Sequence, residues 1–369
     1  MTTPEVRLER LRPDGIAAAL DRAPIAWIPL GALEFHADHL PNGTDGLTGH
    51  GLLVKAAERA GGVVLPWSYV TMGTLALPWS FRFDPGLVEE ALRQTLRQLP
   101  AYGVRLAVVH TGHGPLDLNH LIKRVCAEVA ADGTGPLAMG LCYLELNAVL
   151  GTGLGTDWPV AVDHGSTMET SWVAALAPEL VEIERLPDDP AASRVGVYGP
   201  NPRFTVDATR GSAQIDAAAA LLAERALAVL RGEPYDPLAD LRVFVERYWP
   251  ERLALAGRAG TPDDAMGGPA LLVTNPGPVS RYLSGLSLRL DGAPVPGDAI
   301  TLVNATPGET GLAVRAADLG PERGSYIRRH QTAEVRLPDP VPAGPHEVHL
   351  VLSLAGVTET SLAETVEFR

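Results

Sequence analysis

The sequence predicts an α/β first part, a mainly parallel sheet flanked by helices, followed by a small antiparallel β-sandwich. Three observations lead there. Up to about residue 235, short apolar runs alternate with helix-length patterns, as they do where a sheet is covered on both faces. Between Tyr248 and Pro269 the chain turns rich in Pro, Gly, Ala and charge, which reads as a linker or boundary. Beyond it, short strand-like runs recur with turn residues between them. The expected domains are residues 1–248 and 265–369.

The elements follow in order. Ile25–Leu30 is apolar and stopped by Gly31, a buried strand; Val104–Val109 reads the same way. Leu87–Leu99, Leu118–Ala131 and Asp216–Leu230 read as helices, the last rich in Ala and Leu and capped at Gly232. A further helical pattern surrounds Trp172–Leu176. In the second part, Leu271–Val273, Leu283–Leu290, Ala299–Val303, Ala333–Leu337, His346–Leu354 and Thr365–Phe368 read as strands, and Asp291-Gly292 is a strong hairpin turn.

Composition narrows the function classes. A chain of 369 residues with 46% hydrophobic content can bury a sizeable core. The net charge of −14 argues against a nucleic-acid partner, which needs a basic patch. The apolar stretch from Gly61 to Trp79 is broken by Gly, Pro, Ser and Thr, so no membrane span is expected. No basic segment precedes an apolar N-terminal run, and Cys126 and Cys142 fit reduced core thiols, so the expected compartment is the cytoplasm. The glycosylation sequons at Asn42 and Asn304 carry no weight without a secretory signal, and Gly151–Gly155 reads as a flexible loop.

Chemistry concentrates in three stretches. The first packs Glu34, His36, Asp38, His39 and Asp45 just past the Ile25–Leu30 strand, where open α/β sheets place their sites. Imidazoles and carboxylates in that mixture hold zinc or manganese, and a carboxylate can bridge two ions. A charge-rich loop that is merely solvated is the alternative. The second stretch is His110-Thr-Gly-His113-Gly114, with glycine admitting close approach to an ion. The third is Asp163-His164-Gly-Ser166-Thr-Met-Glu169-Thr-Ser, in which Ser166 and Glu169 also fit a capping box. Trp67, Tyr69, Trp79, Trp158 and Tyr198 are aromatic candidates for a pocket, though such residues more often fill a core or rim.

These stretches resemble the creatininase family of metal-dependent amidohydrolases, whose motifs run G-S-x-E-x-H-G-x-H-L-P-x-x-T-D, N-G-H-G-G-N and H-A-G-x-x-E-T-S. The counterparts are Gly31-Ala-Leu-Glu34-Phe-His36-Ala-Asp-His39-Leu-Pro-Asn-Gly-Thr-Asp45, Thr111-Gly-His113-Gly-Pro-Leu, and His164-Gly-Ser-Thr-Met-Glu169-Thr-Ser171. The likeness covers about residues 5 to 235. It implies two divalent ions per subunit, zinc or manganese: one on Glu34 and His113, the other on His36 and Glu169, with Asp45 bridging. It also implies a homo-oligomer, often a hexamer, and a small-molecule substrate.

Departures from the motifs fall between the ligands. Phe35 replaces Gln, Ala37 and Asp38 replace Gly and Pro, Thr167 replaces Glu, and Thr111, Pro115 and Leu116 replace Asn, Gly and Asn. This pattern suggests retained metal chemistry with a different pocket. The expected reaction is hydrolysis of a C–N bond, amide or cyclic amide, in a small polar metabolite. His164 is the candidate proton donor, with substrate hydrogen bonding as its competing role. Trp158, Tyr69 and Asp163 are candidate substrate contacts, and Asp163 could also orient His164. His39 is expected to support or pack rather than ligate.

The second part, through Leu283-Ser-Gly-Leu-Ser-Leu-Arg-Leu-Asp-Gly-Ala-Pro-Val-Pro and Pro342-Ala-Gly-Pro-His-Glu-Val, looks like the small β-subunit of bacterial C-glycoside deglycosidases. That likeness keeps a metal-dependent lyase or isomerase on a sugar-like or C-glycoside substrate as the alternative. A metal-stabilised binding protein without turnover is a third. No metal ligand is expected from residues 265–369. There His346 and His349 have the odd spacing that sends strand side chains to opposite faces.

Overall fold

All six residues of β1 (Ile25–Leu30) are buried, as expected of a strand covered on both faces. The computed structural model describes residues 4–151, 163–192, 194–249, 253–261, 268–276, 281–304, 313–327 and 331–369. Trp158, Gly153, Gly155 and His330 lie outside the described residues. The chain forms two compact units, one ending at Asp240 and the other beginning at Leu241.

In the first unit α1 (Pro13–Arg22) precedes β1, and α2 (Thr44–Ala60), β2 (Val63–Val64), α3 (Pro85–Gln98), β3 (Leu106–Thr111), α4 (Leu116–Ala131), β4 (Leu137–Cys142), α5 (Tyr143–Leu150), α6 (Thr167–Leu176) and α7 (Ala208–Leu230) follow. The four strands pair in parallel in the order β2-β1-β3-β4. On one face Ala26, Ile28, Leu30, Ala107 and Val109 pack against Val88, Leu92 and Leu96 of α3 and Leu118, Leu121, Ile122 and Val125 of α4. Helices α2 and α7 pack on the sheet as well. Each buried Val, Leu or Ile among these contributes about 1.5–3 kcal/mol, so burial on two faces rather than helix propensity holds the layers together.

The three expected helices are present, each starting two to eight residues earlier than the apolar pattern suggests. Asp84 caps α3 through the Gly86 amide, ahead of Pro85, and Asp207 caps α7 through Arg210. Gly232, just past α7, has φ +90°, the left-handed stop its position implied. The strand expected over Val104–Val109 is shifted: β3 runs on through His110 and Thr111.

Helix α8 (Ala239–Tyr248) crosses the boundary between the units. The second unit carries β5 (Ala254–Arg258), β6 (Ala270–Thr274), β7 (Arg281–Leu290), β8 (Ala293–Val295), β9 (Thr301–Asn304), β10 (Ala313–Arg315), β11 (Ser325–Ile327), β12 (Thr332–Arg336), β13 (Gly344–Leu354) and β14 (Thr358–Phe368). They do not form the expected small sandwich. They make one large curled sheet in the order β10-β9-β12-β6-β5-β14-β13-β7-β11, with β8 paired to β7. Every pairing is antiparallel except β5 with β14. The curl brings β11 near β9 and encloses Leu271, Val273, Leu302, Val335, Leu350, Leu352 and Phe368.

The linker reading of Tyr248–Pro269 is likewise corrected, because β5 lies within it. Gly257 is the reason a strand fits there: a Cβ at that position would meet the Phe368 ring at 2.3 Å, so the glycine lets β14 close against β5. The Asp291-Gly292 turn joins β7 to β8, with φ of +48° and +78°.

Candidate metal centre

Five side chains converge at the C-terminal edge of the parallel sheet. The loop after β1 carries Glu34 and His36, the first turn of α2 carries Asp45, the loop after β3 carries His113, and the first turn of α6 carries Glu169. Glycines set the spacing. A Cβ on Gly31 would lie 2.4 Å from the Gly46 backbone, so the start of α2 presses directly on the end of β1.

The donors fall into two buried trios, Glu34–Asp45–His113 and His36–Asp45–Glu169, each with its ligand atoms within 4.8 Å of one another. Asp45 belongs to both. Its Oδ1 lies 3.0 Å from His36 Nε2 and its Oδ2 lies 3.0 Å from His113 Nδ1. Glu34 Oε2 is 3.2 Å from His113 Nδ1, and Glu169 Oε2 is 3.4 Å from His36 Nε2. Ligands about 2.1 Å from a tetrahedral zinc stand about 3.4 Å apart, so these separations suit a shared cation.

Polar contacts around the trios aim their lone pairs inward. His36 Nδ1 donates to the Glu34 carbonyl at 2.9 Å, which leaves Nε2 facing two carboxylates. Glu34 Oε1 accepts from the Leu75 amide at 2.5 Å, and Glu169 Oε2 accepts from Gly165 N at 2.7 Å. Glu34 Oε2, His36 Nε2 and Asp45 Oδ2 are buried without a well-formed hydrogen bond. Lone pairs packed head to head without donors between them fit a bound cation, so the residues present fit the divalent ions that the motifs imply.

Without a cation, protons take that place. Burial alone would depress His36, but Asp45 and Glu169 outweigh it and raise its pKa to about 10. His113 is likewise raised by Glu34 and Asp45 against burial. Burial raises Glu169 well above the usual carboxylate range. Zinc uptake must displace these protons, so affinity is expected to fall as pH falls from 8 to 6. Calorimetric titration in buffers of different ionisation enthalpy should show roughly one proton released per imidazole engaged. Proton-neutral binding would contradict this electrostatic account.

His164 sits beside the trios, its ring stacked on His36 at 4.1 Å. Its Nε2 donates to the Phe35 carbonyl at 2.8 Å, which leaves Nδ1 with the lone pair. Burial, reinforced by the positive His36, lowers its pKa to about 4. Tyr198 flanks it, with its amide on the His164 carbonyl at 2.8 Å and ring centroids 5.7 Å apart.

Other expected residues lie differently. Asp163 neither orients His164 nor faces open space: its carboxylate accepts from Met168 N at 2.6 Å and Glu169 N at 3.4 Å, capping α6. Buried donors at a helix N-terminus draw a carboxylate more strongly than a neighbouring ring does. Ser166 makes no side-chain cap, so the capping box is not formed and Glu169 is free for the cluster. His39 joins neither trio; its Nε2 lies 2.9 Å from Thr170 Oγ1, beside Glu169. Tyr69 is 47% exposed against Phe83, and Trp79 is 77% exposed. Ala37, where the family motif has Gly, adopts φ +62°, the conformation that favours Gly.

Two features were not anticipated. Tyr143, at the start of α5, is buried with its ring edge-on to Trp172 of α6; burial and then the Glu169 charge push its pKa well above the ordinary value. Behind it, Lys123 of α4 is buried on Glu145 at 2.9 Å and on the Gly140 carbonyl at 2.8 Å, while Glu145 also accepts from Cys142 N and Asn119. This pair ties α4 to the β4–α5 junction. Lys123→Met should strand the Glu145 charge and cost about 3–5 kcal/mol in chemical denaturation. A loss below about 1 kcal/mol would show the pair to be dispensable.

Residues 9–227, more than half of the chain, match the family model described as Creatininase: Creatinine amidohydrolase. The chain belongs to the creatininase family. The creatinine amidohydrolase of Pseudomonas putida is 26% identical over 204 residues, covering 50% of this chain and 75% of that protein. A putative creatinine amidohydrolase from Bacteroides fragilis shares the fold with a TM-score of 0.51 at 20% identity, covering 64% of this chain and 100% of that one. A point-mutant creatininase of the Zn–Zn type has a TM-score of 0.50 at 20% identity, covering 63% of this chain and 99% of that one. At such identity the structural likeness shows the fold. The creatininase match stops at residue 227, so the likeness of the second unit to a deglycosidase subunit rests on its sequence pattern alone. Among the described residues no helix is long and apolar enough to cross a membrane.

Proposed function

We propose that this creatininase-family protein hydrolyses the C–N bond of an amide or cyclic amide in a small polar metabolite, using two divalent ions, zinc or manganese. The observation that carries this reading is the pair of buried donor trios sharing Asp45. Glu34, His113 and Asp45 would hold one ion, and His36, Glu169 and Asp45 the other. Two such ions supply a water acidified toward neutrality and Lewis-acid polarisation of the carbonyl.

The protein's own residues supply the proton traffic. Neutral His164 has Nε2–H committed to Phe35, so Nδ1 can take the proton that the attacking water loses and return it to the leaving nitrogen. The stack on His36 fixes the ring beside Glu34 and His36, with which it forms a third donor group. Asp163 holds the first turn of α6, and with it Glu169, in register. Exposed Tyr69 at the rim, Trp158, a small-molecule substrate and a homo-oligomeric, cytoplasmic assembly belong to the same proposal.

The test is turnover by the zinc- or manganese-loaded full chain on creatinine and other cyclic amides, linear amides, formamides and C-glycosides. Ion-dependent release of a carboxylate and an amine is the expected result. Cleavage of C-glycosides with every amide untouched would overturn the proposal in favour of a lyase.

A further inference from the structure

We infer that the Tyr143 hydroxyl donates a hydrogen bond to the substrate oxygen that gains negative charge during hydrolysis, an inference that rests on the amide-hydrolase reading above. Position comes first. Tyr143 is 4% exposed and starts α5 directly after β4, at the same sheet edge as the donor trios. Its ring is held edge-on against Trp172 at 5.5 Å, so the phenol has little freedom to swing.

The hydroxyl reaches into the site. It lies over Gly114, where an added Cβ would come 2.9 Å from Oη, so the glycine next to His113 clears its place. The carboxylates of Glu169 and Asp45 act on the same hydroxyl. The phenol therefore stands over the backbone next to His113 of one trio, and its ring packs on Trp172 of the helix that carries Glu169 of the other. Yet Oη makes no hydrogen bond with any described residue. Among the described residues Oη is not one of the sealed, orphaned polar atoms, so a bound substrate can reach it.

The chemistry matches a donor with nothing to donate to. When water adds to the carbonyl carbon, the C=O electron pair moves onto oxygen; when the C–N bond breaks, that pair returns and nitrogen leaves with a proton. An O–H fixed where the charge appears strengthens its hydrogen bond during addition without being transferred. Tyr143 acts on that oxygen, and His164 acts on the nitrogen.

Methylphosphonate, a tetrahedral anion resembling the adduct, separates the possibilities. The zinc-loaded full chain and its Tyr143→Phe variant are titrated calorimetrically, with zinc content and Tm measured for both. The phenylalanine keeps the contact with Trp172, so folding should be unaffected. Binding should weaken roughly ten- to a hundredfold, as for one hydrogen bond to a charged group, with zinc content and Tm unchanged. On any amide that the wild type hydrolyses, kcat should fall while KM stays. Gly114→Ala, which presses a methyl on Oη, should also weaken binding. Equal affinity in wild type and Tyr143→Phe, no binding to either, or zinc lost with the hydroxyl overturns the assignment. A wild type that binds methylphosphonate but hydrolyses no amide would instead sink the proposed activity, while the binding difference still judges Tyr143.

Discussion

On the proposed two-ion reading, Asp45→Ala should lower the zinc content of the purified protein from two ions per chain to one or none, and turnover should vanish with it. The reason is the position of the side chain. Each carboxylate oxygen faces a different imidazole at 3.0 Å, so one residue serves both trios. Two doubly charged ions about 4 Å apart repel by about 17 kcal/mol even at an effective dielectric of 20, and the bridging anion is what offsets this most directly. Removing it leaves Glu34 and Glu169 on opposite sides, one per ion, with no negative charge between them. Asp45→Asn is the sharper control, since it keeps the volume and removes the charge. Elemental analysis beside circular dichroism reads the outcome: a folded Asp45→Ala protein that retains two ions would show that Asp45 is not the bridge.

Three of the five candidate donors were legible because their spacing is local. Glu34, His36 and Asp45 lie within twelve residues, and a strand that ends at Leu30 already fixes which edge of the sheet they occupy. Strand β1 was legible for the same reason, six apolar residues in a row. Strand β3 was read two residues short, because His110 looks polar on paper although it is buried within the strand; burial lowers its pKa to about 4. Strand β5 was hidden altogether: Ala254-Leu-Ala-Gly-Arg258 has little β propensity, and only the ring of Phe368, more than a hundred residues later, explains the glycine. The expected sandwich failed at that same place. Whether a set of strands forms two sheets or one that curls is decided by pairings such as Gly257 with Phe368, which no local pattern records.

The roles of side chains were less legible than their places. Asp163 precedes His164, and adjacency suggested that it orients the ring; the unsatisfied amides at the start of α6 claimed its carboxylate instead. Tyr143 has the opposite history. Nothing near it in sequence marks it, and it reaches the site only because β4 lies next to β3 in the sheet. Residues delivered by topology leave no local pattern, and here the close approach of the Tyr143 hydroxyl to Gly114 is the signal that points to one.

His164→Ala should lower kcat by roughly 10²–10⁴ while both ions stay bound. The ring is not part of either trio that shares Asp45, so metal content is the internal control. With Nε2–H fixed on Phe35, the free Nδ1 is the only position on the ring that can take a proton from water and hand it to nitrogen. Two further measurements distinguish this role from substrate binding. Added imidazole should restore part of the lost kcat in His164→Ala, because the cavity left by the ring admits a diffusible base. His164→Gln keeps a hydrogen-bond donor for the Phe35 carbonyl and cannot shuttle a proton, so its kcat should fall as far as that of the alanine variant. If KM alone rises and kcat persists in both variants, His164 holds the substrate, and the proton must reach the leaving nitrogen by another route.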